Sequence, residues 1–130
     1  MKKKMVTALL AVSMLAGLSA VNVMADEGDT LTIGFSQVGA ESDWRTANTE
    51  SMKSTFSEEN GYELIFDDAQ QKQENQLTAI RNFIQQEVDY IVLAPVTETG
   101  WDTVLQEAKD AGIPVIIVDR MVDVSDDSLY

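Results

Sequence analysis

Four apolar segments recur along the chain, and amphipathic segments separate them. The apolar segments occupy residues 31–36, 62–66, 90–94 and 113–118. They start about 25 to 30 residues apart, which suits a strand, a short loop and a helix that returns the chain parallel to itself. We therefore predict the order βαβαβαβ: an α/β fold with a parallel, doubly wound, Rossmann-like sheet that carries helices on both faces.

The three intervening segments carry helical patterns of different strength. The third has an apolar stripe followed by a glycine that can end the helix: Trp101, Val104, Leu105, Ala108 and Gly112. The second opens on an amide-rich run from Gln70 and then shows a stripe of Leu77, Ile80 and Ile84. The first, 42–59, is the weakest; Ser42 can cap it and Asn60-Gly61 can close it.

The last apolar segment is continuous rather than alternating and ends at a pair of opposite charges. Six apolar residues, 113–118, precede Asp119 and Arg120. A strand without polar alternation is expected to be buried on both faces. It would deliver the Asp119-Arg120 doublet to the sheet edge where open α/β sheets bind ligands. In the alternative, the two charges pair with each other or with a surface loop.

The first 25 residues predict a signal peptide. Lysines occupy positions 2–4, an apolar stretch runs over 5–24, and a small-residue site favours cleavage after about Ala25. A single-pass membrane anchor is the alternative. We therefore expect a periplasmic or extracellular protein, with residues 26–130 as its mature part. At the other end, 123–130 suggests a polar loop followed by the first residues of another strand, so the sequence is interpreted as a fragment.

Composition excludes several classes of function. Residues 26–130 hold 6 basic and 22 acidic side chains, a formal charge of −16, which repels nucleic acid and anionic membranes. The chain has no cysteine and no histidine. We therefore expect no disulfide, no lipid-modified cysteine, no metal site and no catalytic triad. Gly34 and Gly39 have phosphate-loop spacing, but Ala40-Glu41 follows where that loop needs lysine and a hydroxyl.

Charged and aromatic side chains that could bind a ligand follow three of the predicted strands. A loop containing Trp44, Arg45 and nearby carboxylates follows the first, Asp67-Asp68 the second and the Asp119-Arg120 doublet the fourth. Parallel strands point the same way, so these groups are expected to converge on one crevice. Carboxylates, guanidinium forks and an aromatic face together suit a polyhydroxylated ring, which predicts sugar binding.

Plainer alternatives exist for each of these residues. Trp44 could anchor the first helix in the core, Arg45 could pair with Glu41 one helical turn away, and Asp67-Asp68 could cap the second helix. Carboxylate pairs among Glu41, Asp67 and Asp119 also leave a secreted carbohydrate-active hydrolase open, since spacing does not fix their separation.

These residues give the chain a close resemblance to a known family. It resembles the sugar-binding proteins of bacterial ABC importers with the ribose-type (type I) periplasmic fold, most of all the galactofuranose-binding proteins. The similar stretches are GFSQVGAESDWR (34–45), QQKQENQ (70–76), APVTETGWD (94–102), EAKDAGIPVIIVDR (107–120) and VDVSDDSLY (122–130). The resemblance implies a two-lobed, monomeric protein, of which residues 26–130 supply most of the N-terminal lobe and the second lobe is missing.

The resemblance also implies a function and a site. It implies capture of a monosaccharide, galactofuranose or a related furanose or pentose, and delivery to an ABC transporter permease, with no cofactor and no catalysis. The implied sugar contacts are Glu41, Ser42, Asp43, Trp44, Arg45, Asp119 and Arg120, with Trp44 stacked on the ring and Arg45, Asp119 and Arg120 bonding its hydroxyls. Asp43 and Glu87 stand where glycines are expected. A sugar-sensing receptor for a signalling kinase is a further alternative.

Overall fold

The computed structural model describes residues 29–130, which form an α/β unit around one parallel sheet. Its strands and helices alternate as β1 (Leu31–Gln37), α1 (Asp43–Thr55), β2 (Tyr62–Asp68), α2 (Gln73–Gln85), β3 (Tyr90–Leu93), α3 (Asp102–Asp110) and β4 (Val115–Ile117). Short 3₁₀ helices occupy Glu58–Asn60 and Asp127–Leu129. All strand pairs are parallel and the order is β2-β1-β3-β4. The predicted fold class and element order are confirmed.

Helices cover both faces of the sheet, as predicted. Phe35, Val92 and the half-buried Phe66 belong to the core on the face that also holds Met52 of α1 and Phe56, the residue after α1. The other face packs against α2 and α3 in a larger core, with these buried members among others: Ile80, Phe83, Ile91, Leu93, Trp101, Val104, Leu105 and Val115. The strong α3 stripe arises because its apolar residues all enter this core.

Helix α2 lies unusually close to the centre of β1. A Cβ atom added to Gly34 would lie 2.4 Å from Cγ of Phe83, far inside van der Waals contact. Gly34 therefore permits the ring of Phe83 to pack directly on the backbone of β1.

The fourth strand differs from its prediction. The segment 113–118 was expected to be buried on both faces, but Ile116 is 48% exposed while Val115 is buried. The reason is its position: β4 is at the edge of the described sheet, and α3 covers only the face to which Val115 points. The prediction that this strand is buried on both faces was wrong, because the length of an apolar run does not show which elements cover the strand.

Three element boundaries also differ. Helix α1 ends at Thr55, and a separate 3₁₀ turn leads to Gly61, which has a left-handed φ of 86°. Helix α2 begins at Gln73 rather than at Gln70, because Gln70 and Gln71 have left-handed φ angles of 52° and 62° and form a turn. The end of the chain forms a 3₁₀ helix rather than a strand, and Leu129 within it is buried.

Within residues 29–130, no helix is both long and apolar enough to cross a membrane. The predicted signal peptide, residues 1–25, lies outside the described residues and stays a prediction.

Glu87 occupies a backbone position that favours glycine. Its φ is 55°, in the turn between α2 and β3 where the family resemblance led us to expect glycine. A left-handed non-glycine residue costs about 1 to 2 kcal/mol, partly offset because glycine is more flexible in the unfolded chain. We predict that Glu87→Gly raises the free energy of unfolding by about 0.5 to 1 kcal/mol in chemical denaturation.

The matched control for this prediction is Glu87→Ala, which removes the same side chain but keeps the left-handed penalty. Glu87→Ala should show no such gain. Equal stability of the Gly and Ala variants would contradict a backbone origin of the effect.

Candidate functional site

The loops at the carboxyl ends of β1, β3 and β4 form the candidate site. The chain passes from β1 to β2 on one side and then places β3 and β4 on the other side of β1. The winding direction therefore reverses between β1 and β3. In open α/β sheets this reversal leaves a crevice at the carboxyl ends of the strands, where ligands bind.

Arg45 joins two of these loops. Its side chain is largely buried, and Nη2 donates a hydrogen bond to Oδ2 of Asp119 at 2.9 Å, across 74 positions of sequence. Nη1 also forms an ion pair with Glu41. The i, i+4 pairing with Glu41 that stood as an alternative is therefore present, but it accompanies the pairing with Asp119 instead of replacing it. The β1–α1 loop and the Asp119-Arg120 doublet thus meet at one edge of the sheet.

Local structure places these groups at the start of α1. Ser42 caps the helix, and its Oγ accepts a hydrogen bond from the backbone N of Arg45 at 3.2 Å. Asp43 is the first helical residue and is exposed, where a carboxylate suits the helix dipole.

Trp44 presents a large aromatic side chain to solvent at this edge. It is 58% exposed, so it does not anchor α1 in the core. An indole directly before the buried Arg45 is available to cover the apolar side of a ring.

The Asp119-Arg120 doublet does not pair with itself in the described structure. Asp119 binds Arg45, whereas Nη1 of Arg120 donates to the backbone oxygen of Val96 at 3.1 Å. Asp119 also has a left-handed φ of 70°. Such strain in a non-glycine residue persists where surrounding contacts fix it, and it concentrates at ligand sites.

The sequence pattern of the family described as a periplasmic binding protein domain matches residues 33–130. The chain belongs to this family. A galactofuranose-binding protein of Escherichia coli is 58% identical over 100 residues, covering 77% of this chain and 31% of that protein. The chain thus spans less than a third of the length of this curated relative.

Solved structures give the same assignment of fold. The binding component of an arabinose ABC transporter from a Shewanella species, bound to α- and β-L-arabinofuranose, matches with a TM-score of 0.72 and 58% identity, covering 76% of this chain and 32% of that one. A Mycobacterium smegmatis structure in complex with β-D-fucofuranose matches with a TM-score of 0.74 and 62% identity, covering 78% and 33%. The resemblance indicated by the sequence motifs is confirmed.

Asp67 and Asp68 have different surroundings in this periplasmic binding protein domain. Asp68 is exposed, and its Oδ1 accepts from the backbone N of Gln70 at 2.8 Å. Helix α2 begins later, with Lys72 as N-cap and no side-chain cap, so the alternative in which Asp67-Asp68 caps α2 is wrong. Asp67 is half-buried, and its Oδ2 has no hydrogen-bond partner. Burial, and secondarily the charge of Asp68, raise the pKa of Asp67.

This raised pKa makes stability depend on pH. The folded state holds the proton of Asp67 more tightly than the unfolded chain does. In the unfolded chain the pKa of this carboxyl group is near 3.8. The contribution of Asp67 is therefore most favourable at low pH and is lost as pH rises through the raised pKa. We predict that Asp67→Asn stabilises the protein at pH 7 and that this gain shrinks as pH falls toward 4, measured by urea unfolding across that range.

The control for Asp67→Asn is Asp68→Asn, which keeps an oxygen for Gln70 and removes a charge that is exposed. Its effect should be smaller, because the charge of Asp68 is the lesser cause of the raised pKa. A constant or reversed pH dependence of Asp67→Asn would show that the carboxylate is not destabilised by burial.

Sequence reasoning missed two buried amides that hold the loops of this binding domain. Gln37 ends β1, and its Nε2 donates to Oδ1 of Asn48 at 2.8 Å and to Oγ1 of Thr49 at 3.2 Å, which ties α1 to the sheet. Gln76 of α2 is fully buried and bonds the loop after β3. The amide-rich run that begins at Gln70 and enters α2 was the only indication in the sequence. It identified the region but did not predict that Gln76 is buried and bonds the loop.

Among residues 29–130, no group of three or more acidic side chains is arranged to hold a metal ion.

Proposed function

We propose that this chain supplies the N-terminal lobe of a two-lobed receptor that captures a furanose and delivers it to an ABC transporter permease. The observation that carries the proposal is the Arg45–Asp119 hydrogen bond of 2.9 Å. It unites the loop bearing the exposed Trp44 with the doublet bearing Arg120, on one edge of the sheet. The full-length protein, in this proposal, consists of this lobe and the second lobe together.

Each side chain has a role that follows from its chemistry. The indole of Trp44 stacks on the apolar C–H face of the ring. The guanidinium groups of Arg45 and Arg120 donate to hydroxyl oxygens, and the carboxylate of Asp119 accepts from hydroxyl protons. Glu41, Ser42 and Asp43 complete the contacts from the β1–α1 loop.

Arg45 is well prepared for this role. Its guanidinium is held by two carboxylates, Glu41 and Asp119, while its buried Nε has no partner. A group whose orientation is already fixed loses little conformational entropy when ligand binds.

The relatives favour a five-membered sugar ring. Proteins 58% and 62% identical to this chain are described with bound arabinofuranose and fucofuranose, and the Escherichia coli relative is named for galactofuranose. The ligand is accordingly expected to be galactofuranose or a related furanose or pentose. We further propose that the protein is exported, acts as a monomer and leaves its ligand chemically unchanged.

The experiment uses the full-length protein and galactose, fucose and arabinose labelled with ¹³C at the anomeric carbon. The anomeric carbon resonance distinguishes furanose from pyranose rings, so the bound ring form can be detected directly. We expect saturable binding of a furanose form, followed by release of unchanged sugar on denaturation. Absence of binding to all three sugars would contradict the receptor function.

The hydrolase alternative has its own test. The full-length protein is incubated with nitrophenyl furanosides, and released nitrophenol is measured. We expect no release above a heat-denatured control. Release of nitrophenol at a rate proportional to protein concentration would contradict the receptor function and favour a carbohydrate-active hydrolase.

A further inference from the structure

Helix α2 holds the loop between β3 and α3 with two glutamine side chains one turn apart. Gln76 Nε2 donates to the backbone oxygen of Ala94 at 2.8 Å, and its Oε1 accepts from the backbone N of Val96 at 2.9 Å. Gln73 Nε2 donates to the backbone oxygen of Thr99 at 2.7 Å. The two amides thus satisfy backbone groups of the chain beyond the last residue of β3.

The other side of the same loop supports the Asp119-Arg120 doublet. The backbone oxygen of Val96 accepts from Nη1 of Arg120 at 3.1 Å, and that of Glu98 accepts from the backbone N of Asp123 at 2.7 Å. Val96 therefore links two side chains: its N–H is bound by Gln76 and its C=O by Arg120.

This link matters because Arg120 is exposed and long. A free arginine side chain samples many rotamers and loses that freedom when it binds a ligand. A carbonyl held at a fixed position restricts the guanidinium before the ligand arrives, whereas a shift of Val96 by about 1 Å would lengthen the bond of Arg120 beyond hydrogen-bond distance.

We propose that Gln76 is a positioning residue for sugar binding, which acts through Val96 to hold the guanidinium of Arg120 toward the sugar. Gln73 steadies the far end of the same loop. The inference rests on the proposed function, since it assigns Gln76 to the site in which Arg120 bonds the sugar.

A double-mutant cycle on the full-length protein tests this role. Gln76→Met keeps the length of the side chain and removes both hydrogen bonds that the Gln76 amide forms with the loop. In the cycle, its effect on the Kd for the furanose is measured with Arg120 present and in the Arg120→Ala background. We expect about a fivefold loss of affinity in the first background and less than about a twofold loss in the second, because residues that share a hydrogen-bond network couple, whereas the effects of independent residues add.

Gln37→Met is the matched control. It removes the other side-chain amide that is buried among residues 29–130. The partners of that amide are Asn48 and Thr49 on α1 and the backbone N of Val38, none of which lies in the Val96 loop. Its effect on Kd should be the same factor in both backgrounds. An equal loss from Gln76→Met in both backgrounds would overturn the inference and leave Gln76 as a general stabiliser of the lobe.

A second variant and a sugar-free measurement keep the inference testable. If Gln76→Met does not fold, Gln73→Met is used in the same cycle. We expect a smaller coupling of the same sign, and strict additivity would overturn the inference.

Crystal structures of the ligand-free variants are compared with wild type for the distance between Val96 oxygen and Arg120 Nη1. A distance retained within 3.5 Å overturns the inference even if wild type binds no furanose, a result that would separately refute the proposed function.

Discussion

Trp44→Ala and Arg120→Ala are each expected to weaken furanose binding to the full-length protein by about 1 to 3 kcal/mol in titration calorimetry. The indole is 58% exposed and forms no part of the core, so its removal deletes a stacking surface without opening a cavity. Arg120 bonds only a backbone oxygen in the described structure, and its remaining donors are free for hydroxyl groups.

Conservative variants separate shape from charge in this experiment. Trp44→Phe should retain part of the affinity, because a smaller aromatic face still covers the ring. Arg120→Lys keeps the charge but loses the planar fork, so it should bind less tightly than wild type.

The control is Arg81→Ala. Arg81 is an exposed arginine on α2 that pairs with Glu107 of α3 at 2.9 Å, away from the sheet edge. Its replacement should leave Kd unchanged. Wild-type affinity in both Trp44→Ala and Arg120→Ala would remove the site assignment.

Gly34→Ala is expected to lower the free energy of unfolding by about 1 to 3 kcal/mol in urea unfolding. The added methyl group would lie 2.4 Å from Cγ of Phe83, and neither the ring nor the backbone of β1 can move away freely in a packed core. Alanine also stiffens the unfolded chain, which offsets a few tenths of a kcal/mol.

A compensating substitution tests the cause of this destabilisation. In the background of Phe83→Leu, which carries a smaller side chain against β1, Gly34→Ala should cost clearly less than in wild type. The same cost in both backgrounds would show that contact with Phe83 is not the origin. An unchanged stability of Gly34→Ala alone would contradict the close helix packing itself.

The fold was predictable because its signals are local and periodic. The spacing of the apolar segments predicted the four strands, and the stripe through Val104 and Leu105 predicted α3. The edge position of β4 was not predictable in the same way. Whether Ile116 is covered depends on which elements surround the strand in space, and the residue itself is apolar in either case.

The candidate site was predictable in part for a geometric reason. Parallel strands bring their carboxyl ends to one edge, so the convergence of the loop that carries Arg45 with the Asp119-Arg120 doublet was predictable. The direct hydrogen bond between Arg45 and Asp119 was not predicted. The role of Gln76 could not be predicted, because it depends on the backbone path of the loop around Val96. The left-handed turn at Gln70 was missed for a related reason: glutamine carries no strong turn signal.

The decisive measurement is a crystal structure of the full-length protein with its bound furanose. We expect the Trp44 indole in van der Waals contact with the sugar ring, at about 4 Å, and hydrogen bonds of about 3 Å between the sugar hydroxyls and Arg45, Asp119 and Arg120. A sugar bound elsewhere, with the indole and the Asp119-Arg120 doublet on different sides of the molecule, would contradict it.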